Sequence, residues 1–353
     1  MIKIQQHLNI NNPDEYLDSL AVSMWNELNK HNQDGELSHY SLIKKLDRLI
    51  IKTEEENFIY EYSDGNEETK QRQKSFLDYL SANNNTNLKK LIISRPEELV
   101  ELKSEIMDIL IQLDLFYDYQ GGFKQTAFGN LLIEQLFNYK NFRGSSFCRQ
   151  LMINSGYENV TCPYCNDNKV SIIDVSGETD EQALLRAYFD LDHFFSKSQN
   201  PFFAISYYNL IPSCHDCNSV EKSDLIFDLS THTHPYHKSF NENYIFQINP
   251  NFIVNGSTDV INLNYTGESE DYNKRDFKLS QRYQRIHLSK VNDFISLYLN
   301  YQDYRNSPTF GVDYCDALLQ NVPLNENEIL KKQTGKMYRD VLKQIDVFDF
   351  LSK

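Results

Sequence analysis

Four of the six cysteines in this chain stand in two C-x-x-C pairs, Cys162/Cys165 and Cys214/Cys217. A C-x-x-C turn lets two sulfurs converge on one ion, and zinc favours four tetrahedral thiolates. The 48 residues between the pairs exceed the usual zinc-ribbon spacing, so structure must be built between the halves. A closed shell of four thiolates leaves no position for substrate, so the expected ion is one structural Zn²⁺. Two other readings compete. The cysteines could be small buried apolar residues, or redox pairs, although neither pair sits in a thioredoxin-like strand–helix context. His215, inside the second pair, is a ligand candidate, but a surface position is the plainer reading. Cys148 and Cys315 have no such partner and are expected as buried free thiols.

Between and beside the cysteines lie Asp192, His193, Asn209 and Asn218. Phosphodiester hydrolysis needs a base to activate water and a hard cation to neutralise developing charge. A carboxylate and an amide oxygen suit Mg²⁺ or Mn²⁺, and a histidine suits the base. An amide accepting from the other imidazole nitrogen would fix the tautomer. Taken singly, each residue has a plainer role. His193 could be a core histidine, Asn209 a turn residue, and Asn218 a helix cap.

The combination is specific. C-P-Y-C-N (162–166), L-D-H-F-F-S-K-S (191–198), Y-N-L-I-P-S-C-H-D-C-N-S (208–219) and E-K-S (221–223) resemble an HNH endonuclease, a ββα-metal nuclease. The resemblance implies His193 as general base and Asp192 with Asn218 as ligands of one catalytic Mg²⁺ or Mn²⁺. It further implies that Asn209 orients His193 and that the four cysteines hold a structural Zn²⁺. Ser196 stands where proline is common in related sequences, and the final motif position is Asn218 rather than histidine, a familiar variant. The flanks resemble, more loosely, a bacterial group of such nucleases.

Lys197 and Lys222 flank this set and are candidate phosphate contacts, as are Lys278, Arg282 and Arg285 on one helical face. For each, a solvated surface role competes. His232, His234 and His237 form a tract that could bind metal, but a polar loop is the plainer reading. His234-Pro235-Tyr236 stands where related nucleases often carry an apolar–aromatic packing motif.

The elements that must position these residues fall into three parts. Residues 1–145 read as an N-terminal helical region. Asn12-Pro13-Asp14-Glu15 signals a helix start, and Leu42 to Ile50 and Pro96 to Leu113 carry apolar residues at helical spacing. Asn83 to Asn87 reads as a polar surface loop, Gly121-Gly122 as the end of the block, and 127–139 as a further helix. In 146–240, Val170–Val175 (ending at Gly177), Tyr188–Phe195 and Tyr207–Ile211 read as strands, with a short helix from Cys214. Residues 241–353 read as helical again, with helices over 277–301 and 335–347. The fold class expected is α+β: a small ββα-metal core with structural zinc between mainly helical flanks. The lack of long Gly/Ser or Pro linkers predicts that the parts pack together.

At 353 residues and 40% hydrophobic, the chain can bury a sizeable core. No apolar run is long enough to span a membrane, and no basic-then-apolar leader opens the chain. The expectation is a cytoplasmic bacterial protein with no membrane partner. Net charge is −15, and residues 151–240 alone carry 5 Lys/Arg against 12 Asp/Glu. Strong nucleic-acid binders usually carry a basic footprint, because phosphate neutralisation drives affinity. The expected substrate is double-stranded DNA, with RNA as a variant, captured with help from a protein partner. Resembling proteins often pair with an ATPase or sensor subunit in anti-phage defence. The rival class is a zinc-stabilised nucleic-acid- or protein-binding module without catalysis.

Overall fold

The computed structural model describes residues 2–175, 185–238, 243–249, 261–267, 271–304, 306–307 and 310–346. The expected strand end at Gly177 and the last expected helical residue, 347, lie outside them.

The N-terminal third is helical because its apolar residues recur every three or four positions. Helix α1 (Pro13–Leu28) opens on proline with Asp14 and Glu15 in its first turn, and it buries Leu17, Leu20, Ala21 and Met24. Asn12 does not cap it as expected. That residue is left-handed and its amide donates to the Glu15 carboxylate at 3.3 Å. Helix α2 (Leu42–Lys52) is capped by the Ser41 hydroxyl, which accepts from Lys44 N. Residues Glu67–Ile93 (α3) are two helical stretches joined across Ala82–Asn85, where three successive asparagines have φ of 50°, 59° and 61°. Asparagine tolerates that region, so the expected surface loop is a tight kink. Helix α4 (Pro96–Ile109) buries Leu99, Leu102 and Ile106, while Leu113 lies past its end and is exposed.

Gly121 lies in a hairpin turn. Strands β1 (Phe116–Tyr119) and β2 (Gly122–Gln125) pair antiparallel across Gln120 and Gly121, both at positive φ, as a two-residue primed turn requires. The helix expected over 127–139 is shorter: an α-helical turn at Ala127–Leu131 passes into a π-helical turn at Leu132–Leu136. Helix α5 (Ser146–Asn154) then leads into the middle of the chain.

There, β3 (Asn159–Thr161), β4 (Lys169–Asp174) and β5 (Leu185–Tyr188) form one antiparallel sheet. Strands β6 (Asp190–His193) and β7 (Leu210–Ser213) form a separate antiparallel pair, with Asp192 opposite Ile211 and His193 opposite Leu210. The single strand expected over 188–195 is thus divided between two sheets. The strand expected over 207–211 begins as a 3₁₀ turn, Tyr207–Asn209. A π-helical segment, Asp216–Lys222, follows β7 directly after Cys214 and His215.

The C-terminal part adds a hairpin that the sequence reading did not anticipate, β8 (Tyr244–Ile248) with β9 (Ile261–Tyr265). The helix expected over 277–301 is broken at His287 into α6 (Leu279–Ile286) and α7 (Leu288–Tyr304). Helix α8 (Gly335–Ile345) packs on β8, where Asp340 Oδ2 accepts from Phe246 N at 3.0 Å. The molecule is a mixed α and β fold, and every strand pairing among the described residues is antiparallel.

One apolar core runs from Ile2 to Leu342 through all three parts. The chain ends clasp the middle. Ile2 N donates to Pro163 O at 3.0 Å, and Thr334 N to Asn166 O at 2.6 Å. Thr161 Oγ1 donates to Leu330 O at 3.0 Å. No helix among the described residues is long and apolar enough to cross a membrane.

Candidate functional site

Two turns bring the cysteines together. Cys162 follows β3 and opens the turn to β4. Its N–H donates to Asn168 O at 2.8 Å, and Asn166 N donates back to Cys162 O at 2.7 Å. Asn166 closes the turn at φ 53°. Cys214 directly follows β7, and Cys217 lies in the first turn of the π-helical segment. All four are buried, and their sulfurs lie within 4.8 Å of one another. Cys165 and Cys214 sulfurs are 3.9 Å apart. Thiolates bound at about 2.3 Å to a central ion stand ~3.8 Å apart in a tetrahedron, whereas a disulfide needs about 2.05 Å. The set can therefore hold one metal such as zinc. Without an ion, burial pushes the Cys162 and Cys217 thiols well up, while donation from the other three draws Cys214 down.

The C-terminal helix α6 supports this cluster. Arg282 Nη1 lies 3.3 Å from Cys217 Sγ, and Tyr283 OH donates to Cys165 O at 2.6 Å. Burial opposes the Arg282 charge, but the cysteine sulfurs hold it above its ordinary range. Four thiolates on one Zn²⁺ carry a net charge of about −2, and a guanidinium beside them offsets part of it. Arg282 therefore faces the cysteines rather than solvent, and no spacing rule on one chain reveals that partnership. Lys278 and Arg285 are exposed, with Lys278 in a left-handed conformation at the helix start.

Strand β6 presents alternate residues to opposite faces. Asp192 is 4% exposed and Lys222 2%. The Lys222 ammonium donates to Asp192 Oδ1 and Oδ2, both at 2.8 Å, to His193 O at 2.5 Å and to Phe194 O at 3.2 Å. Tyr164 OH, from the first cysteine turn, donates to Asp192 Oδ2 at 2.6 Å. Burial lowers the Lys222 pKa against the pull of Asp192. Lys222 is thus an interior group that ties the π-helical segment to β6.

His193 is 9% exposed. Its Nε2 stands 2.9 Å from Ala204 O, and Tyr139 packs on its ring at 4.7 Å between centroids. A carbonyl only accepts, so Nε2 carries the proton and the neutral ring's lone pair is on Nδ1. Burial, then Lys197 and Lys222, lowers the His193 pKa to about 3 against the Ala204 carbonyl. Lys197 lies over the other aromatic of this stack, with Nζ 4.3 Å from the Tyr139 ring centroid. Ala204 and Tyr139 carry no sequence signal for this role.

Asn209 is fully buried but does not reach the imidazole. Its Oδ1 accepts from Phe195 N at 2.7 Å, and its Nδ2 donates to Phe195 O at 3.1 Å and Phe203 O at 3.2 Å. It pins the loop that follows His193, and the tautomer is set by Ala204. Asn218 sits at the rim with Asp190. Its Nδ2 is 3.2 Å from Asp190 Oδ2, which also accepts from Ser219 Oγ at 3.0 Å and lies 3.1 Å from His215 Nδ1. His215 is exposed, as the sequence suggested. Asp190 was not singled out from sequence, although its place two residues before Asp192 on a strand puts it on the same face.

The His232–His237 tract does not converge. His232 pairs with Asp276 at 3.0 Å and stacks on Phe227, His234 packs on Phe194 at 4.2 Å, and His237 pairs with Glu97. Among the described residues, the four cysteines are the one group of three or more His, Cys, Asp or Glu whose ligand atoms gather. Cys148 and Cys315 are free thiols; Cys148 is buried as expected, whereas Cys315 is half-buried.

No family model matches the chain, and no solved structure matches it. The sequence is similar to Protein ea31 of Escherichia phage lambda, 25% identical over 238 residues, which cover 62% of this chain and 72% of that protein.

Proposed function

We propose that this chain is a metal-dependent endonuclease of the HNH type that hydrolyses nucleic-acid phosphodiester bonds, with double-stranded DNA as the first substrate to test. The observation that carries the reading is local. An antiparallel hairpin, β6–β7, runs through a cysteine cluster into a helical segment, and His193 at the end of β6 has its Nε2 bound by a carbonyl. That leaves Nδ1 as the basic nitrogen. Burial keeps that lone pair unprotonated but also makes the ring a weak base, below the near-neutral pKa that suits general-base catalysis.

In this reading His193 Nδ1 accepts the proton of the attacking water, and Tyr139 and Ala204 hold the ring in place. Asn209 keeps the following loop in register. Asp192 and Asn218 are the residues that would hold Mg²⁺ or Mn²⁺, hard ions suited to carboxylate and amide oxygens. They are not assembled as a pair: Asn218 Nδ2 turns to Asp190 Oδ2, and the Asp192 oxygens take donors from Lys222 and Tyr164. When bound, the ion supplies charge stabilisation at the phosphate. Cys162, Cys165, Cys214 and Cys217 would hold zinc, which would tie the hairpin to the helical segment.

Substrate capture needs help. Lys222 and Arg282 are directed at Asp192 and Cys217, and Lys197 lies over Tyr139. Lys278 and Arg285 are then the surface cations left among the candidates, on a chain of net charge −15. Weak intrinsic affinity for duplex follows. A partner that delivers DNA, such as an ATPase or sensor subunit in anti-phage defence, fits this shortfall. One observation favours the rival, a zinc-stabilised binding module without catalysis: Lys222 covers the Asp192 carboxylate.

The deciding experiment is a cleavage assay on plasmid, linear DNA and RNA, with Mg²⁺ or Mn²⁺, with and without the products of neighbouring genes. Metal-dependent cutting supports the nuclease. Nucleic-acid binding without cutting under every condition supports the module.

A further inference from the structure

We propose that Lys222 is a built-in competitor for the divalent cation, and that the chain loads a metal at Asp192 only when this side chain leaves. The inference rests on the nuclease reading of the same site. Four oxygens surround the Lys222 ammonium: both carboxylate oxygens of Asp192 at 2.8 Å, His193 O at 2.5 Å and Phe194 O at 3.2 Å. A carboxylate with main-chain carbonyls is a ligand set for a hard cation. An ammonium has three protons for these four acceptors, so it fills the cage as a charge. The rings of Phe194 and Phe227 close the far side, with Nζ 4.7 Å from the Phe227 centroid. A divalent ion bound to the same carboxylate would meet a like charge at contact distance. The two occupants exclude each other.

The segment that carries Lys222 can move it. Residues 216–222 are π-helical, closed by Ser223 N donating to Asn218 O at 3.0 Å, five residues back. A π turn is an α-helix with one extra residue, a form that recurs at functional sites. Ser223, directly after the lysine, has φ 40° and ψ −113°, a backbone state that costs a non-glycine residue energy. Relaxing the segment to α-helical register turns each later position by about 100° around the axis. In this proposal, that change of register is the movement that takes Lys222 off Asp192, and Ser223 is the residue that absorbs it.

The test is Mn²⁺ binding to the whole zinc-loaded chain, read from the loss of the free-ion electron paramagnetic resonance signal and so independent of cleavage. Lys222→Met keeps the length and removes the charge. It is expected to bind Mn²⁺ at least ~10-fold more tightly than the unaltered chain. Lys222→Met combined with Asp192→Asn is expected to lose that gain. Equal or weaker binding by a folded Lys222→Met overturns the proposal. If that variant does not fold, acetylation of the unaltered chain decides. Lys222 should label slowly without Mn²⁺ and at least ~10-fold faster at saturation, and unchanged labelling at saturation overturns the proposal. Tighter Mn²⁺ binding with no cleavage by either form would leave this inference standing while removing the nuclease reading.

Discussion

The Asp192–Lys222 pair gives the sharpest stability prediction. Both side chains are buried, at 4% and 3% exposure, and the ammonium contacts both carboxylate oxygens at 2.8 Å. Lys222→Met leaves a carboxylate in the interior with Tyr164 as its remaining donor. Asp192→Asn leaves an ammonium facing an amide and two carbonyls. Removing one partner of a buried pair costs about 3–5 kcal/mol, because the other charge is left uncompensated. Removing both deletes the two charges together, so the double variant should cost well under the sum, with a coupling of roughly 3 kcal/mol. Urea unfolding of the four zinc-loaded proteins measures this cycle. Burial lowers the Lys222 pKa, so the Asp192→Asn penalty should shrink as pH rises and the ammonium loses its proton. Single penalties below ~1 kcal/mol, or penalties that simply add, would refute the buried-pair account.

Other outcomes follow from the same geometry. Cys162→Ser should lose zinc and, with it, the turn and helical segment that the metal joins, seen by metal analysis and circular dichroism. Arg282→Met should release zinc to a chelator faster by about tenfold, matching the ~1.5 kcal/mol of a charge-assisted contact. The altered chain should otherwise stay folded. His193 has a folded pKa lowered to about 3, against roughly 6.5 unfolded. The unfolded chain therefore binds more protons between these values. Its stabilising contribution is full above about pH 6.5 and falls as pH drops toward 3, by up to ~1.4 kcal/mol per pH unit. His193→Gln should flatten that part of the stability-versus-pH curve, and an unchanged slope would mean the ring is not buried neutral.

The cysteine cluster was the most legible part of the sequence, because paired C-x-x-C spacing constrains sulfur geometry whatever the fold between. Helices α1, α2 and α4 were readable for a similar reason: burial on one face imposes a 3.6-residue period. The division of 188–195 between β5 and β6 was not readable, since Phe189 breaks pairing without breaking the apolar pattern. Nor was the β8–β9 hairpin, whose strands lie in a stretch read as helical. At the site, residue types were visible but partners were not. Lys222 looked like a surface phosphate contact and is an interior ion pair. Asn209 was expected to orient His193, and that contact belongs to the Ala204 main chain. Main-chain partners leave no mark on residue type, and a buried lysine differs from an exposed one only in what surrounds it.

The most direct test of the nuclease account is plasmid cleavage by the zinc-loaded chain with Mn²⁺, compared with His193→Ala at equal zinc content. The account predicts cleavage by the unaltered chain, dependent on the divalent ion, and a loss of about 10²–10⁴-fold in the variant. Cleavage that survives His193→Ala would contradict it. So would an unaltered chain that cuts neither DNA nor RNA in the presence of its partner.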